Sequence, residues 1–300
     1  PMKLWQPLAD CLKSGRPAVL VLVQEARGSV PRGAGAGLVV LPGGDFYGTI
    51  GGGALEWQAL GHAKSFSESG MNHERVQVPL GPNLGQCCGG HVTLSYELWQ
   101  PDRLGEAQIL ADMERAGSFH TASQTDANGH VRRIVVETGG TEQFGIRAVP
   151  VAVFGAGHVG KALMKSLSLL PVRMTWVDSR ADMFPGVVPD NISMHALADP
   201  RMILPDLDRE TAILIMTHSH PQDLSILEAA LKASFSFVGV IGSRSKRARF
   251  ESMLIKSGMA PELARSFICP IGIPGLEGKE PSVIAASVSA QVFLGKQPKN

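Results

Sequence analysis

An apolar run, Val149-Pro150-Val151-Ala152-Val153-Phe154, passes straight into Gly155-Ala156-Gly157-His158-Val159-Gly160, and a helix-patterned segment follows to about Leu170. This order constrains the chain more than any other string in it. Three glycines at that spacing, after a strand and opening a helix, form a phosphate-binding turn: Gly155 makes the bend, Gly157 admits an anion, and Gly160 lets helix and strand approach closely. Helix-opening amides and the helix dipole favour a negative charge there. A second strand, Met174 to Asp178, follows. Asp178 stands about 20 residues beyond the turn, where a ribose hydroxyl would be accepted and a 2′-phosphate disfavoured. The string also scans as GxxxxGK through Lys161, but residue 162 is Ala. The Mg²⁺-binding hydroxyl of a nucleoside triphosphatase is therefore missing.

Further strands over Ile213–Thr217 and Phe237–Ile241, each followed by a helical stretch, predict a doubly wound parallel sheet over 149–300, closed by a helix at about Pro281–Leu294. The first half reads differently. A short amphipathic helix carries Leu4, Leu8, Cys11 and Leu12. Pro17–Val23 is a buried strand. A hairpin turns at Pro42-Gly43-Gly44-Asp45, and a helix covers Ala54 to about Ser67. Strands at Val76–Val78 and His91–Leu98, a helix near 105–116 and a hairpin from Phe119 to Glu137 complete an α+β domain over 1–140. The polar, glycine-containing stretch Thr138–Ala148 reads as a linker. The fold class is thus α/β: an N-terminal α+β domain followed by a Rossmann-like doubly wound domain.

Between the two strands at 76–78 and 91–98 lies Gly85-Gln86-Cys87-Cys88-Gly89-Gly90, which holds two of the four cysteines. Neighbouring Cα atoms lie about 3.8 Å apart, too close for a relaxed disulfide. The flanking glycines allow close approach of a bulky partner. An accessible thiol here suits a soft metal or sulfur transfer, whereas two packed apolar thiols in a tight turn is the plainer alternative. A second glycine-rich corner, Gly51-Gly52-Gly53, opens the helix containing Glu56. With Arg32 it offers another anion site, or a corner needed only for its shape. Thr217-His218-Ser219-His220 with Asp223 gives either loop contacts to a ligand at the strand ends or a weak metal motif. The cations of 244–249 suit a phosphate, an acidic partner face or simply solvent, and Cys269 reads as a packed thiol.

A net charge of +1 points away from nucleic acid or an anionic membrane as partner. No apolar stretch is long enough to span a bilayer. The opening residues lack a signal-peptide pattern, and the sparse, irregularly spaced cysteines suit a reducing cytoplasm.

Taken in order, these strings resemble the xanthine dehydrogenase accessory protein family of XdhC/CoxI type. The resemblance rests on Gly28-Ser29-Val30-Pro31-Arg32, Gly51-Gly52-Gly53 with Glu56, and Gln86-Cys87-Cys88-Gly89-Gly90. In the second half it rests on Phe154 to Gly160, Val177-Asp178-Ser179-Arg180, Thr217 to His220, Ile241 to Arg244, and Pro270-Ile271-Gly272. Ala54 departs from it, since relatives often carry Cys there. The resemblance implies a cytosolic, homodimeric chaperone of the molybdenum cofactor (molybdopterin). Such a protein protects the cofactor, assists its sulfuration by a cysteine desulfurase, and delivers it to the molybdenum-binding subunit of xanthine dehydrogenase or a related hydroxylase. Cys87 or Cys88 would then meet molybdenum, with Arg32, Gly51, Gly52, Gly53, Gly155, Gly157, Gly160, Asp178 and His218 as further contacts and no catalytic residue. Two rivals stand beside it: an NAD-dependent oxidoreductase using His218 or His220 as proton carrier, and a metallohydrolase built on His218, His220 and Asp223.

Overall fold

The computed structural model describes residues 3–81, 89–137, 142–276 and 278–294. Packing contacts divide the chain into two units, one ending at Arg147 and one beginning at Ala148.

The first unit runs α1 (Trp5–Lys13), β1 (Ala18–Arg27), β2 (Gly37–Val40), β3 (Phe46–Thr49), α2 (Gly53–Glu68), β4 (His73–Pro79), β5 (His91–Trp99), α3 (Leu104–Ala116), β6 (Phe119–Thr125), β7 (Val131–Val136) and β8 (Glu142–Phe144). Strands β3-β2-β1-β5-β4 form an antiparallel sheet. Its centre, β1, is buried from Ala18 to Val23 because both faces are covered. Leu20 and Leu22 pack with Trp5, Leu8 and Leu12 of α1 and Leu110 of α3. The alternate residues Val19, Val21 and Val23 pack with Leu55, Ala59, Ala63 and Phe66 of α2. The period of two therefore sorts one apolar run onto two cores.

A second, three-stranded sheet has the order β7-β6-β8. Here the structure corrects the linker reading of Thr138–Ala148. Residues 138–141 lie outside the described residues, but Glu142–Phe144 pair antiparallel with β6. Phe144 is buried against Trp5 and Phe119. Glu142 takes a hydrogen bond from Arg133 Nε at 3.0 Å. The two alternating inward residues make this segment a strand even though its flanks are polar. Arg133 also holds Glu97 of β5 through two bonds of 2.6 Å, so one buried guanidinium ties the two sheets together.

The second unit runs β9 (Val149–Phe154), α4 (His158–Ser168), β10 (Val172–Asp178), β11 (Ile192–Ala196), β12 (Ala212–Ile215), α5 (His220–Lys232), β13 (Phe237–Val240), α6 (Arg244–Lys256), α7 (Pro261–Ala264) and α8 (Pro281–Leu294). Its sheet has the order β11-β10-β9-β12-β13 and is parallel throughout. Leu163, Leu167, Val288 and Val292 of α4 and α8 cover one face. Ile226, Leu231, Phe250 and Leu254 of α5 and α6 cover the other. This is the doubly wound architecture expected from the alternation of strand and helix. Strand order reverses beside β9, so the ligand crevice of such a sheet falls between the loops that follow β9 and β12.

Candidate functional site

In the second unit the glycine turn has the anticipated geometry. Gly155 adopts φ +124°, and a Cβ there would overlap the Met216 carbonyl. The loops after β9 and β12 therefore touch, and only glycine fits. A Cβ on Gly160 would overlap the Gly155 carbonyl. That carbonyl accepts a 3.0 Å hydrogen bond from Trp176 Nε1, from a side chain buried inside the sheet. Sequence reasoning missed this role, because a Trp within a strand reads only as core. Gly157 precedes α4 with an extended backbone and has open space where a Cβ would point. It is the one glycine of the three whose side of the turn is free.

Asp178 lies at the end of β10 as expected, but its carboxylate faces inward. Oδ2 accepts the Ala156 amide at 2.7 Å, and Arg180 binds both oxygens through Nε and Nη2 at 2.9 and 3.0 Å. Burial alone would raise its pKa. The Arg180 side chain and the two backbone amides outweigh burial and hold it below the usual carboxylate range. Within this chain, then, the carboxylate fixes the glycine turn and takes one of its amides.

The loop after β12 corrects the metal reading. β12 ends at Ile215, His218 is in the loop, and His220 already opens α5, so the two rings do not share a strand face. Asp223 is fully buried, and its oxygens are engaged: Oδ1 accepts the Thr217 amide and hydroxyl at 2.9 and 2.7 Å, and Oδ2 accepts Lys246 Nζ at 2.6 Å. Lys246 Nζ also donates to the Ile241 carbonyl at 2.8 Å. This ion pair clips the loop after β12 to the loop after β13. Arg247 is likewise engaged, with the carbonyls of Phe267 and Arg265. Of the cations at 244–249, only Arg244 and Arg249 point freely outward. No cluster of three or more metal-ligating side chains occurs among the described residues. His158, His218 and His220 are exposed beside the crevice.

In the first unit three separate strings meet. Gly28, at φ +74°, has room for a Cβ only at 3.0 Å from Gly90 Cα, and a Cβ on Gly90 would overlap the carbonyls of Arg27 and Ser29. A Cβ on Gly51, at φ +127°, would lie 2.5 Å from Pro31 Cβ. The Gly28–Arg32 segment is thus wedged between Gly90 and Gly51. Arg32 is exposed and has no hydrogen-bond or ion-pair partner among the described residues. Cys87 and Cys88 lie outside the described residues, while Gly89 and Gly90, which follow them, are part of this junction. The triple-glycine corner is not an empty anion cradle. Glu56 reaches back from α2, and its Oε2 accepts the amides of Ile50 and Gly52 at 3.0 and 3.2 Å and the Thr49 hydroxyl. A carboxylate of the chain already satisfies those donors, as an N-terminal capping residue does. Gly52 and Gly53, at φ +75° and +64°, shape the entry to the helix. Cys11 and Cys269 are buried free thiols, and burial pushes both up from the usual thiol value, as befits packing residues.

Comparison with known proteins agrees with this layout. A family model described as the XdhC Rossmann domain matches residues 151–292, and one for the XdhC and CoxI family matches residues 11–77. The molybdenum cofactor insertion chaperone PaoD of Escherichia coli K12 is 25% identical over 94% of this chain and 85% of its own length. YqeB of the same organism is 23% identical over 98% of this chain, which spans only 46% of YqeB. A solved structure described as a xanthine dehydrogenase from Bacillus halodurans superposes with a TM-score of 0.78 at 19% identity, covering 99% of this chain and 97% of that one; the likeness is one of fold. The chain belongs to the XdhC and CoxI family and carries an XdhC Rossmann domain as its second unit.

Proposed function

We propose that this chain is a non-catalytic chaperone that takes the molybdenum cofactor as cargo, protects it, assists its sulfuration by a cysteine desulfurase, and inserts it into the molybdenum-binding subunit of xanthine dehydrogenase or a related hydroxylase. It acts in the cytoplasm as a homodimer. The similarity to PaoD, a molybdenum cofactor insertion chaperone, supports the class of function. The observation that carries the reading is the junction of Gly28–Arg32 with Gly51 and with Gly90. It brings Arg32, whose guanidinium has no partner among the described residues, and closely packed backbone together with Gly90, which follows Cys87 and Cys88 in sequence. The cargo offers a phosphate, dithiolene sulfurs and a metal that tolerates soft ligands. A guanidinium suits the phosphate, and a thiolate suits the metal or its sulfur ligand. The glycine turn before α4 supplies a second anion-binding surface.

The test is purification from cells that make the cofactor in abundance. Molybdenum and pterin should co-purify. Cys87→Ala or Cys88→Ala should lower the molybdenum content, and Arg32→Gln should lower retained pterin without moving the melting temperature. Wild-type protein free of pterin would overturn the proposal. Reduction of NAD by the protein with alcohols or hydroxy acids would replace it with an oxidoreductase.

A further inference from the structure

The first unit holds a cleft of about 700 Å³ that none of the motifs above touches. Its floor is the beginning of β1 and the ends of β2 and β5: Val19, Val40 and Leu98. One wall is the β2–β3 turn with Phe46, and the other is α2. The helix buries Leu55, Ala59, Ala63 and Phe66 on its inner side. Trp57, Gly61, Lys64 and Glu68, spaced four, three and four residues apart, therefore form a stripe on its outer side. All four border the cleft.

Three features say what covers this face. Trp57, 80% exposed, and Phe46, 42% exposed, have no ring contact among the described residues. At those exposures the two rings leave roughly 250–300 Å² of apolar surface open on each copy of the chain. Two copies facing one another would supply about half of the roughly 1,200 Å² at which specific interfaces begin. Gly61 has nothing within 4 Å of an added Cβ. Glycine inside a helix weakens it, and no contact within the chain calls for one here; close approach of a second helix does. Lys64 and Glu68 lie one turn apart, and neither side chain has a hydrogen-bond or ion-pair partner among the described residues. Their charges cancel, so the stripe favours a partner of neither sign. It does match its own image. A two-fold axis across the helix at the level of Phe66 sets Lys64 of one copy beside Glu68 of the other, and the same pair recurs on the far side of the axis.

We propose that the outer face of α2 and its cleft form the interface with a second copy of this chain, the two α2 helices running antiparallel about that axis, with Lys64 of each copy paired with Glu68 of the other. Trp57 stands nine residues from the axis level, about 13 Å at 1.5 Å per residue. That is inside the radius of about 16 Å that a standard interface of roughly 800 Å² per partner covers. Gly53, where α2 leaves the glycine corner, is about 20 Å from the axis, so the junction with Gly28–Arg32 stays open. This interface rests on the homodimer of the proposed function and is independent of the cargo.

Sedimentation equilibrium of the full chain over a concentration series gives the dimer dissociation constant, and circular dichroism checks each fold. Lys64→Glu and Glu68→Lys should each raise that constant at least tenfold, because like charges then meet across the axis. The double variant Lys64→Glu/Glu68→Lys should return to within threefold of wild type, because opposite charges meet again. Only a contact between identical copies restores itself in this way. Trp57→Ala, at an exposed position, should weaken the dimer at least tenfold. Gly61→Leu should also weaken it while raising the melting temperature of dilute, monomeric protein, because the helix itself is strengthened. A wild-type dimer that none of these variants weakens overturns the interface and leaves the homodimer standing; the cleft then belongs to a small molecule or another protein. A double variant as weak as the two single ones overturns the Lys64–Glu68 pairing. A wild-type chain that stays monomeric throughout the series overturns the homodimer and this interface with it.

Discussion

The Asp178 carboxylate accepts the backbone amide of Ala156 at 2.7 Å, so the end of β10 holds the phosphate-type turn after β9 in place. The bond is buried, and Arg180 charges it from the other side. Asp178→Asn should cost about 1–3 kcal/mol by weakening charge-assisted bonds to a buried group. The pH dependence has a definite sign. The folded carboxyl lies below its ordinary value of 3.8, so its stabilisation is complete above about pH 4 and is lost as the pH falls through the folded value. The stability difference between wild type and Asp178→Asn, read from urea midpoints by circular dichroism, should be full above about pH 4 and shrink as the pH falls below it.

His73 titrates in the opposite setting. Burial lowers its pKa from 6.5, aided by Arg75 and Arg133, while Glu97 pulls it up. The ring rests against Ser95 Oγ at 3.0 Å. Because the unfolded chain takes the proton more readily, stability is full above about pH 6.5 and declines as the pH drops toward the folded value. His73→Gln should flatten the change in denaturant midpoint between pH 7 and pH 5. An unchanged slope would remove His73 as its source.

The second unit was readable in sequence because each of its main strands is an apolar run with a helix or a glycine turn behind it. Strand β11 was not: only Ile192 of its five residues is buried, so an edge strand left no clear alternation. Strand β8 was hidden in a stretch whose apparent polarity includes Glu142, a residue buried by its partner Arg133 rather than by its own character. The glycines of the candidate site were legible from spacing. The carboxylates were not, because Asp178, Asp223 and Glu56 each turn back onto backbone amides of their own fold. An acidic residue near a glycine turn looks the same in sequence whether it meets a ligand or caps the chain.

Among the described residues Arg133 is the sole cation between Glu97 and Glu142 in their buried network, and its side chain has no exposed surface. Arg133→Met would strand two carboxylates inside the first unit. A loss of about 3–5 kcal/mol is expected, since breaking a buried pair leaves uncompensated charge. Adding Glu97→Gln and Glu142→Gln should restore part of it, as urea midpoints would show. A single-variant loss under 1 kcal/mol would mean that water reaches the network.

Gly157 and Gly160 separate ligand binding from folding within one turn. Gly160 abuts the Gly155 carbonyl, so Gly160→Ala must push α4 away from β9, and a destabilisation of about 1–3 kcal/mol follows from overpacking. Gly157 has φ −72° and ψ −169°, which any residue adopts, with no atom within 4 Å of a new methyl group. Gly157→Ala should therefore stay within about 0.5 kcal/mol of wild type. The methyl would stand where an anion approaches the amides that open α4. The proposed cargo should accordingly be retained less well by Gly157→Ala despite an unchanged melting temperature, measured as pterin per chain after gel filtration. Full pterin retention in this variant would show that the glycine turn serves the fold alone.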